Sequence, residues 1–350
     1  MLSVATESQR SEIAEATVTR YFATHPGLLK RYGETGIIKS VEEVEYHLTF
    51  LAEAIASSSP SLFTTYVQWA RAIRMARKET VADLAEILKS LREVLSEHLP
   101  VQTGAIAGEY LEQALSRFDS FVAEPSHLNG DDPMADLARS YLNALLRGTR
   151  QLAATLIDSA ANGGTDVREI YLRVFQPVLY EIGRLWQNNE ISVAQEHYAS
   201  ATTQLVMSQL YPHIFNADRR GKVLVAACVS GDLHEIGLRM VADYFEMAGW
   251  DTHYLGANVP TPDLLDLMLE RRADMLALSV TMIFDLPAIR DTIEAVRKRE
   301  KCENLPILVG GNPFNIAPEL WRSVGADGYA PDAAIALKVA EDILAIRAAR

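Results

Sequence analysis

The chain has 350 residues, enough for two or three domains that each bury a core. With 49% apolar and 23% charged residues it has the balance of a soluble globular protein, and no segment approaches the ~20 consecutive apolar residues that span a bilayer. The net charge of −13 excludes phosphate-backbone binding unless basic residues are concentrated somewhere. Arg71, Arg74, Arg77 and Lys78 come nearest to that, and their spacing is that of one solvated helix face.

The N-terminal stretch MLSVATESQRSEIAEA lacks the basic-then-apolar order of a secretory signal, and two cysteines, Cys228 and Cys302, cannot build a disulfide framework. A cytoplasmic protein is the expectation. Helical periodicity fills the first 120 residues, with helices expected at 8–23, 40–57, 60–76, 80–97 and 102–121. Ser40-Val-Glu-Glu43 and Thr80-Val-Ala-Asp83 fit capping boxes at two of the starts. These residues, 1–123, are expected to form an all-helical sensor domain.

Glu124 to Pro133 is polar and turn-rich and is expected to link two domains. Helices at 134–147, 149–161, 166–187 and 192–213 then suggest a four-helix bundle over 134–218, the last opened by a Ser192–Gln195 capping box. From about 219 the pattern changes. Short apolar runs at 222–229, 251–255, 275–280, 306–310 and 327–330 alternate with helical stretches, the first beginning at His234 and another opened by Thr261-Pro262. The fold class expected is therefore multi-domain α plus α/β. It has an N-terminal helical domain, a helical-bundle cap, and over 219–350 a flavodoxin-like, doubly wound parallel sheet.

Such a sheet binds ligands outside the carboxyl ends of its strands, and the first strand-to-helix loop there contains Asp232, His234 and Gly237 as D-x-H-x-x-G. A loop histidine can offer one ring nitrogen to a metal while a carboxylate two residues earlier holds the other. The glycine lets a bulky group approach the backbone. Taken alone, the hexapeptide is a weak signal, and a loop histidine beside a helix-capping aspartate is the favoured reading of so short a match.

Ser279-Val280-Thr281 ends the third strand, and Gly310-Gly311 the fourth. Gaps of 41 and 28 residues separate these elements from Gly237 onward. In order and interval, D-x-H-x-x-G, S-x-T and G-G resemble the cobalamin-binding domains of methionine synthase, carbon-skeleton mutases, corrinoid methyl carriers and light-responsive cobalamin regulators. The resemblance implies that His234 ligates cobalt from below in place of the cofactor's own base. The displaced tail would lie in a slot edged by Ser279, Thr281, Gly310 and Gly311. Contacts are also implied for Asp232, Leu233, Glu235, Ile236, Gly237 and Val280.

Ahead of the sheet, Trp186, nine residues, then Glu196-His197 resembles the W-x9-E-H motif of the helical cap in adenosylcobalamin photoreceptors. That likeness implies that Trp186, Val193, Glu196 and His197 cover the upper face. At the position beside the tryptophan where those regulators carry a histidine, this chain has Gln187. The segments beginning at Arg31, Tyr46 and Phe63 are similar to the helical domain of photocobilins, which pair cobalamin with biliverdin. Tyr21, Phe22, Tyr32, Tyr46, Phe50, Phe63, Tyr66 and Trp69 would enclose the bilin non-covalently, with His25, His47, Arg71 or Arg74 as polar partners. Aromatics at this spacing also make plain core.

The reading that follows is a light sensor using adenosylcobalamin and biliverdin, not an enzyme. It signals through a light-dependent homo-oligomer and a downstream protein partner, with no nucleic acid or membrane involved. The alternative is a corrinoid carrier of a methyltransferase system.

Overall fold

The computed structural model describes residues 7–120, 122, 124–215 and 217–349. Residues 1–6, 121, 123, 216 and 350, and the side chains of residues 7, 8 and 32, lie outside that description, so the aromatic candidate Tyr32 cannot be followed further. The chain divides into two compact units, Met1–Ala123 and Glu124–Arg350.

The first unit is helical: α1 (Glu7–Thr24), α2 (Gly27–Ala56), α3 (Pro60–Ala76), α4 (Val81–His98) and α5 (Val101–Ser116). Pro60 opens α3 at a position where no backbone donor is needed. Helix α2 begins well before the expected residue 40, and its break falls at Gly33, which takes φ 64°. Ser40 and Glu43 therefore lie inside a helix, and Thr80 stands at the start of α4 without a side-chain cap bond.

The second unit begins with α6 (Pro133–Leu146), α7 (Arg150–Asn162) and α8 (Val167–Ile170). A π-helical turn over Tyr171–Phe175 leads into α9 (Gln176–Gln187), then α10 (Val193–Gln209) and α11 (Tyr211–Ile214). The Ser192–Gln195 capping box forms in both directions. The remainder runs β1 (Val223–Cys228), α12 (Ile236–Met247), β2 (Asp251–Tyr254), α13 (Thr261–Arg271), β3 (Met275–Ser279) and α14 (Leu286–Lys298). It ends with β4 (Ile307–Gly310), α15 (Asn312–Ile316), α16 (Leu320–Ser323), β5 (Gly328–Tyr329) and α17 (Ala333–Ala348). Thr261 is already helical, and its hydroxyl meets that of Thr292 rather than capping α13.

All strand pairs are parallel, in the order β2-β1-β3-β4-β5. Five of the six β1 residues are buried, as a strand covered on both faces requires. Leu224, Ala226 and Cys228 share a core with Leu238, Ala242 and Phe245 of α12 and with Ala336 and Ala340 of α17. The opposite side of α12 belongs to the bundle: Met240, Tyr244 and Met247 join a core with Tyr141, Tyr171, Phe175 and Val206. Polar bonds run along the same seam. Tyr171 donates to Asp243 Oδ2 (2.8 Å), Tyr244 donates to the Arg168 carbonyl (2.7 Å), and Arg168 donates to the Met247 carbonyl (2.6 Å). One helix thus serves two cores, and bundle and sheet form one unit. Among the described residues no helix is long and apolar enough to cross a membrane.

Candidate functional site

Strand order reverses between β1 and β3, so the crevice of the sheet opens between their carboxyl ends. The loop after β1 fills that position. Asp232 is buried there, and its carboxylate makes three bonds. Oδ1 accepts from the His234 backbone N–H (2.9 Å) and lies 2.8 Å from His234 Nδ1, while Oδ2 accepts from the Thr281 N–H at 2.6 Å. A carboxylate acceptor fixes the proton on Nδ1 and leaves the Nε2 lone pair for another partner. The imidazole side chain is 58% exposed while its carboxylate partner is fully buried. The expected helix from His234 starts two residues later, at Ile236, because these bonds hold Asp232 and His234 in the loop.

The Asp232 hydrogen bond raises the proton affinity of His234 above the ordinary imidazole value, and the Glu196 and Asp285 carboxylates add to it. Glu196 belongs to α10 of the bundle, so the charge of a bundle carboxylate is felt at the histidine of the sheet. Burial, with the Asp232 charge nearby, raises Asp285 in turn.

Ser279, Val280, Thr281, Gly310 and Gly311 come together at the ends of β3 and β4. Ser279 pairs with Gly310, and the Val280 N–H donates to the Gly310 carbonyl (3.2 Å). Gly311 has φ 107°, and a Cβ there would stand 1.9 Å from the Val280 carbonyl oxygen, so only glycine lets the two strand ends cross. Gly237 differs: a Cβ added to it meets nothing within 4 Å, which is open space beside the loop. Leu233 projects outward at 72% exposure, whereas Ile236 packs against the bundle core.

In the bundle, Trp186 is partly buried against the same core, Val193 is exposed at the start of α10, and Glu196 and His197 bond to each other. The second Glu196 oxygen accepts from the Ser200 hydroxyl (2.8 Å). Glu235 departs from the expectation of a cofactor contact. Its oxygens are taken by Tyr254, Ala257 and Gln204.

Sequence reasoning missed Asn258 and Asp285. Asn258 accepts from the Gly231 N–H (2.8 Å) and donates its own N–H to the Asp232 carbonyl (2.9 Å), with φ 52°. Asparagine tolerates the left-handed conformation better than most residues, and that tolerance, just before Val259-Pro260, is the one sequence signal for this turn. Asp285 lies 3.1 Å from where a Gly231 Cβ would stand, and no sequence pattern points to it.

The donor set suits a metal that brings its own macrocycle, for which one well-oriented imidazole completes the coordination. A B12 binding domain family matches residues 222–338, and a second matches 137–211. Dimethylamine corrinoid protein 1 of Methanosarcina acetivorans is 32% identical over 189 residues, covering 53% of this chain and 87% of that protein. The chain belongs to the corrinoid protein family. Dimethylamine corrinoid protein 3 of Methanosarcina mazei is 31% identical over 169 residues, 48% of this chain and 97% of the relative. In fold, the monomethylamine corrinoid protein of Methanosarcina barkeri superposes with a TM-score of 0.53 at 20% identity, over 59% of this chain and 98% of that one. In this chain the two B12 binding domain matches fall on the helical bundle and on the sheet.

These relatives overturn the light-sensor reading and the light-dependent homo-oligomer with it. Trp186, Glu196 and His197 all fall within the segment that matches the second B12 binding domain, so the motif does not by itself select light as the signal. The matched domains support cobalamin and give no support to the adenosyl form. The relatives give no support to a bilin either, and in the first unit several of the residues assigned to it pack on one another. Tyr66 stacks on Phe50 at 3.7 Å and meets His47 Nδ1 through its hydroxyl at 2.7 Å. Arg74 is bonded to Glu43, Arg71 lies over the Phe118 ring, and His25 Nδ1 lies 3.0 Å from the Tyr21 carbonyl.

Proposed function

We propose that this corrinoid protein is a methyl-group carrier: it holds cobalamin between cap and sheet and presents it to a partner methyltransferase. The observation that carries the reading is the buried Asp232 carboxylate bonded at once to His234 Nδ1 and to the Thr281 N–H at the switch point of the sheet. The relatives' names attach the role to methylamines, and a methylamine methyltransferase is the partner class proposed.

Each residue then has a physical task. His234 would bind cobalt through Nε2 while its Nδ1 proton stays with Asp232. Asp232 sets that tautomer, and because it also grips Thr281 it fixes the ring relative to the ends of β1 and β3. Gly237 leaves room for a macrocycle to approach the loop. Gly310 and Gly311, with Ser279, would leave room at the strand ends for the cofactor's tail. Trp186 would offer the bound group a flat apolar wall and keep water from it. When bound, the cobalt supplies the site that accepts and gives up the methyl group. The chain itself is a carrier in this reading, and the methyltransferase provides the catalysis.

The test is reconstitution with methylcobalamin. The wild-type protein should show an absorption spectrum with histidine below the cobalt, and a methylamine methyltransferase should draw on the bound methyl group. His234→Ala should lose the histidine-ligated spectrum and weaken binding by about 10–100-fold, the range expected when the environment of a metal ligand is lost. Equal spectra and affinities for the two proteins would sink the proposal.

A further inference from the structure

The carboxylate of the residue next to His234 is bonded within the fold. Glu235 ends the loop after β1, and its carboxylate reaches two parts of the molecule. On one side Oε2 accepts from the Ala257 N–H and the Tyr254 hydroxyl, both at 3.0 Å, which anchors it to the end of β2. Gly256 makes room for that oxygen, since a Cβ there would stand 2.7 Å from it. On the other side Oε1 accepts from Gln204 Nε2 at 2.9 Å, and Gln204 lies on α10 of the cap. The same glutamine is held a second time, because its carbonyl accepts from Arg239 Nη1 at 3.1 Å. Arg239 goes on to Ser208 (2.7 Å) and Tyr211 (3.0 Å), so α12 grips the middle and the end of α10.

Helix α10 is also the element whose first turn carries Glu196 and His197. Gln204 lies eight residues after Glu196, about 12 Å along one rigid helix. His234 is one peptide bond from Glu235. A single carboxylate therefore ties the loop that presents the lower ligand to the helix that forms the upper cover.

We propose that Glu235 is a positioning residue that holds the His234 loop and cap helix α10 in one register, so that a disturbance of the cap is felt at the lower ligand. The inference rests on the carrier reading above, in which His234 ligates cobalt. It does not make Glu235 a contact of the cofactor.

The chemistry of the pair supplies the test. Gln204→Glu sets two carboxylates against each other and removes the donor. Adding Glu235→Gln restores a donor to the new carboxylate and still leaves one amide oxygen for Ala257 and Tyr254. Glu235→Gln alone is tolerated, because the Gln204 amide can turn over and offer its oxygen. Gln204→Ala removes the bond without adding charge. The full chain is measured in two ways: methylcobalamin binding, read by affinity and by the histidine-ligated spectrum, and amide hydrogen exchange of residues 231–236 without cobalamin.

Gln204→Glu is expected to weaken binding about tenfold, to lower the histidine-ligated fraction and to speed exchange in the loop. The swap should recover both readouts to within about threefold of wild type, and Gln204→Ala should move them in the same direction by less. A folded Gln204→Glu protein with wild-type spectrum and loop exchange overturns the proposal. So does a folded swap that recovers neither. If wild type and His234→Ala bind methylcobalamin alike, the carrier reading fails instead, and the exchange measurement still decides whether cap and loop are coupled.

Discussion

In the N-terminal unit a buried histidine sits among side chains of its own unit. His47 is buried against the Tyr66 hydroxyl, and Glu43 bonds Arg74 while lying 3.6 Å from His47 Nε2. In the second unit the buried Asp232 carboxylate instead holds an imidazole outward, toward solvent. A buried polar group with all its partners inside the fold specifies packing. One whose partner points out of the fold orients that partner for something else. The comparison separates structural polarity from functional polarity even where the residue types are the same, a histidine beside a carboxylate in both units.

Gly311→Ala should have the largest effect. The Cβ would stand 1.9 Å from a backbone oxygen at φ 107°, so the ends of β3 and β4 must move apart. A loss of about 3 kcal/mol or more is expected by chemical denaturation, with cobalamin binding lost alongside. Tyr66→Phe comes next. It strands His47 Nδ1 in the core of the first unit and should cost about 1–3 kcal/mol while leaving cobalamin affinity unchanged. If that substitution altered cobalamin binding, the division between the two kinds of polarity would break.

Opposite responses to pH sharpen the comparison further. Burial lowers His47 from 6.5 to about 4, so between those values the unfolded chain binds more protons. Its contribution is complete above pH 6.5 and is lost as the pH falls toward 4. Asp243 on α12 is raised by burial from 3.8 to about 6, so there the folded chain holds the extra proton. Its contribution is greatest below pH 4 and declines as the pH rises through 6. Amide exchange between pH 4 and 7, corrected for intrinsic rates, should show α2 and α3 gaining protection with pH and α12 losing it. Asp243→Asn, which keeps an acceptor for Tyr171, should flatten only the second trend.

The smallest stability effect belongs to Gly237→Ala. With no atom within 4 Å of the new methyl, stability without cobalamin should stay within about 0.5 kcal/mol of wild type, while cobalamin binding weakens. A stability loss comparable to that of Gly311→Ala would show that both glycines serve packing.

Most elements of the second unit were legible in the sequence, because a covered parallel strand is an apolar run and its helices carry a one-sided stripe. The five strands lie within a residue or two of their expected bounds. The break in α2 was harder to place. A capping-box pattern at Ser40 costs nothing inside a helix, and the positive φ of Gly33 is a property of the folded backbone. In the site, Asp232, His234 and the glycines announced themselves by spacing. The engagement of Glu235 with Gln204 did not, since it joins residues 31 positions apart on two different elements.

The sequence by itself determined the alternation of elements, the D-x-H-x-x-G loop with its S-x-T and G-G companions, and hence a cobalamin domain under a helical cap. Those are local matters, set by periodicity and by residue types at short range. Which polar groups face inward and which face out was decided only when distant segments packed. Thr281 meets Asp232 across 49 residues, Gly311 stands against Val280, and the carboxylate beside His234 turns away toward the cap. A hydrogen bond between segments far apart in the chain depends on where the whole fold puts them.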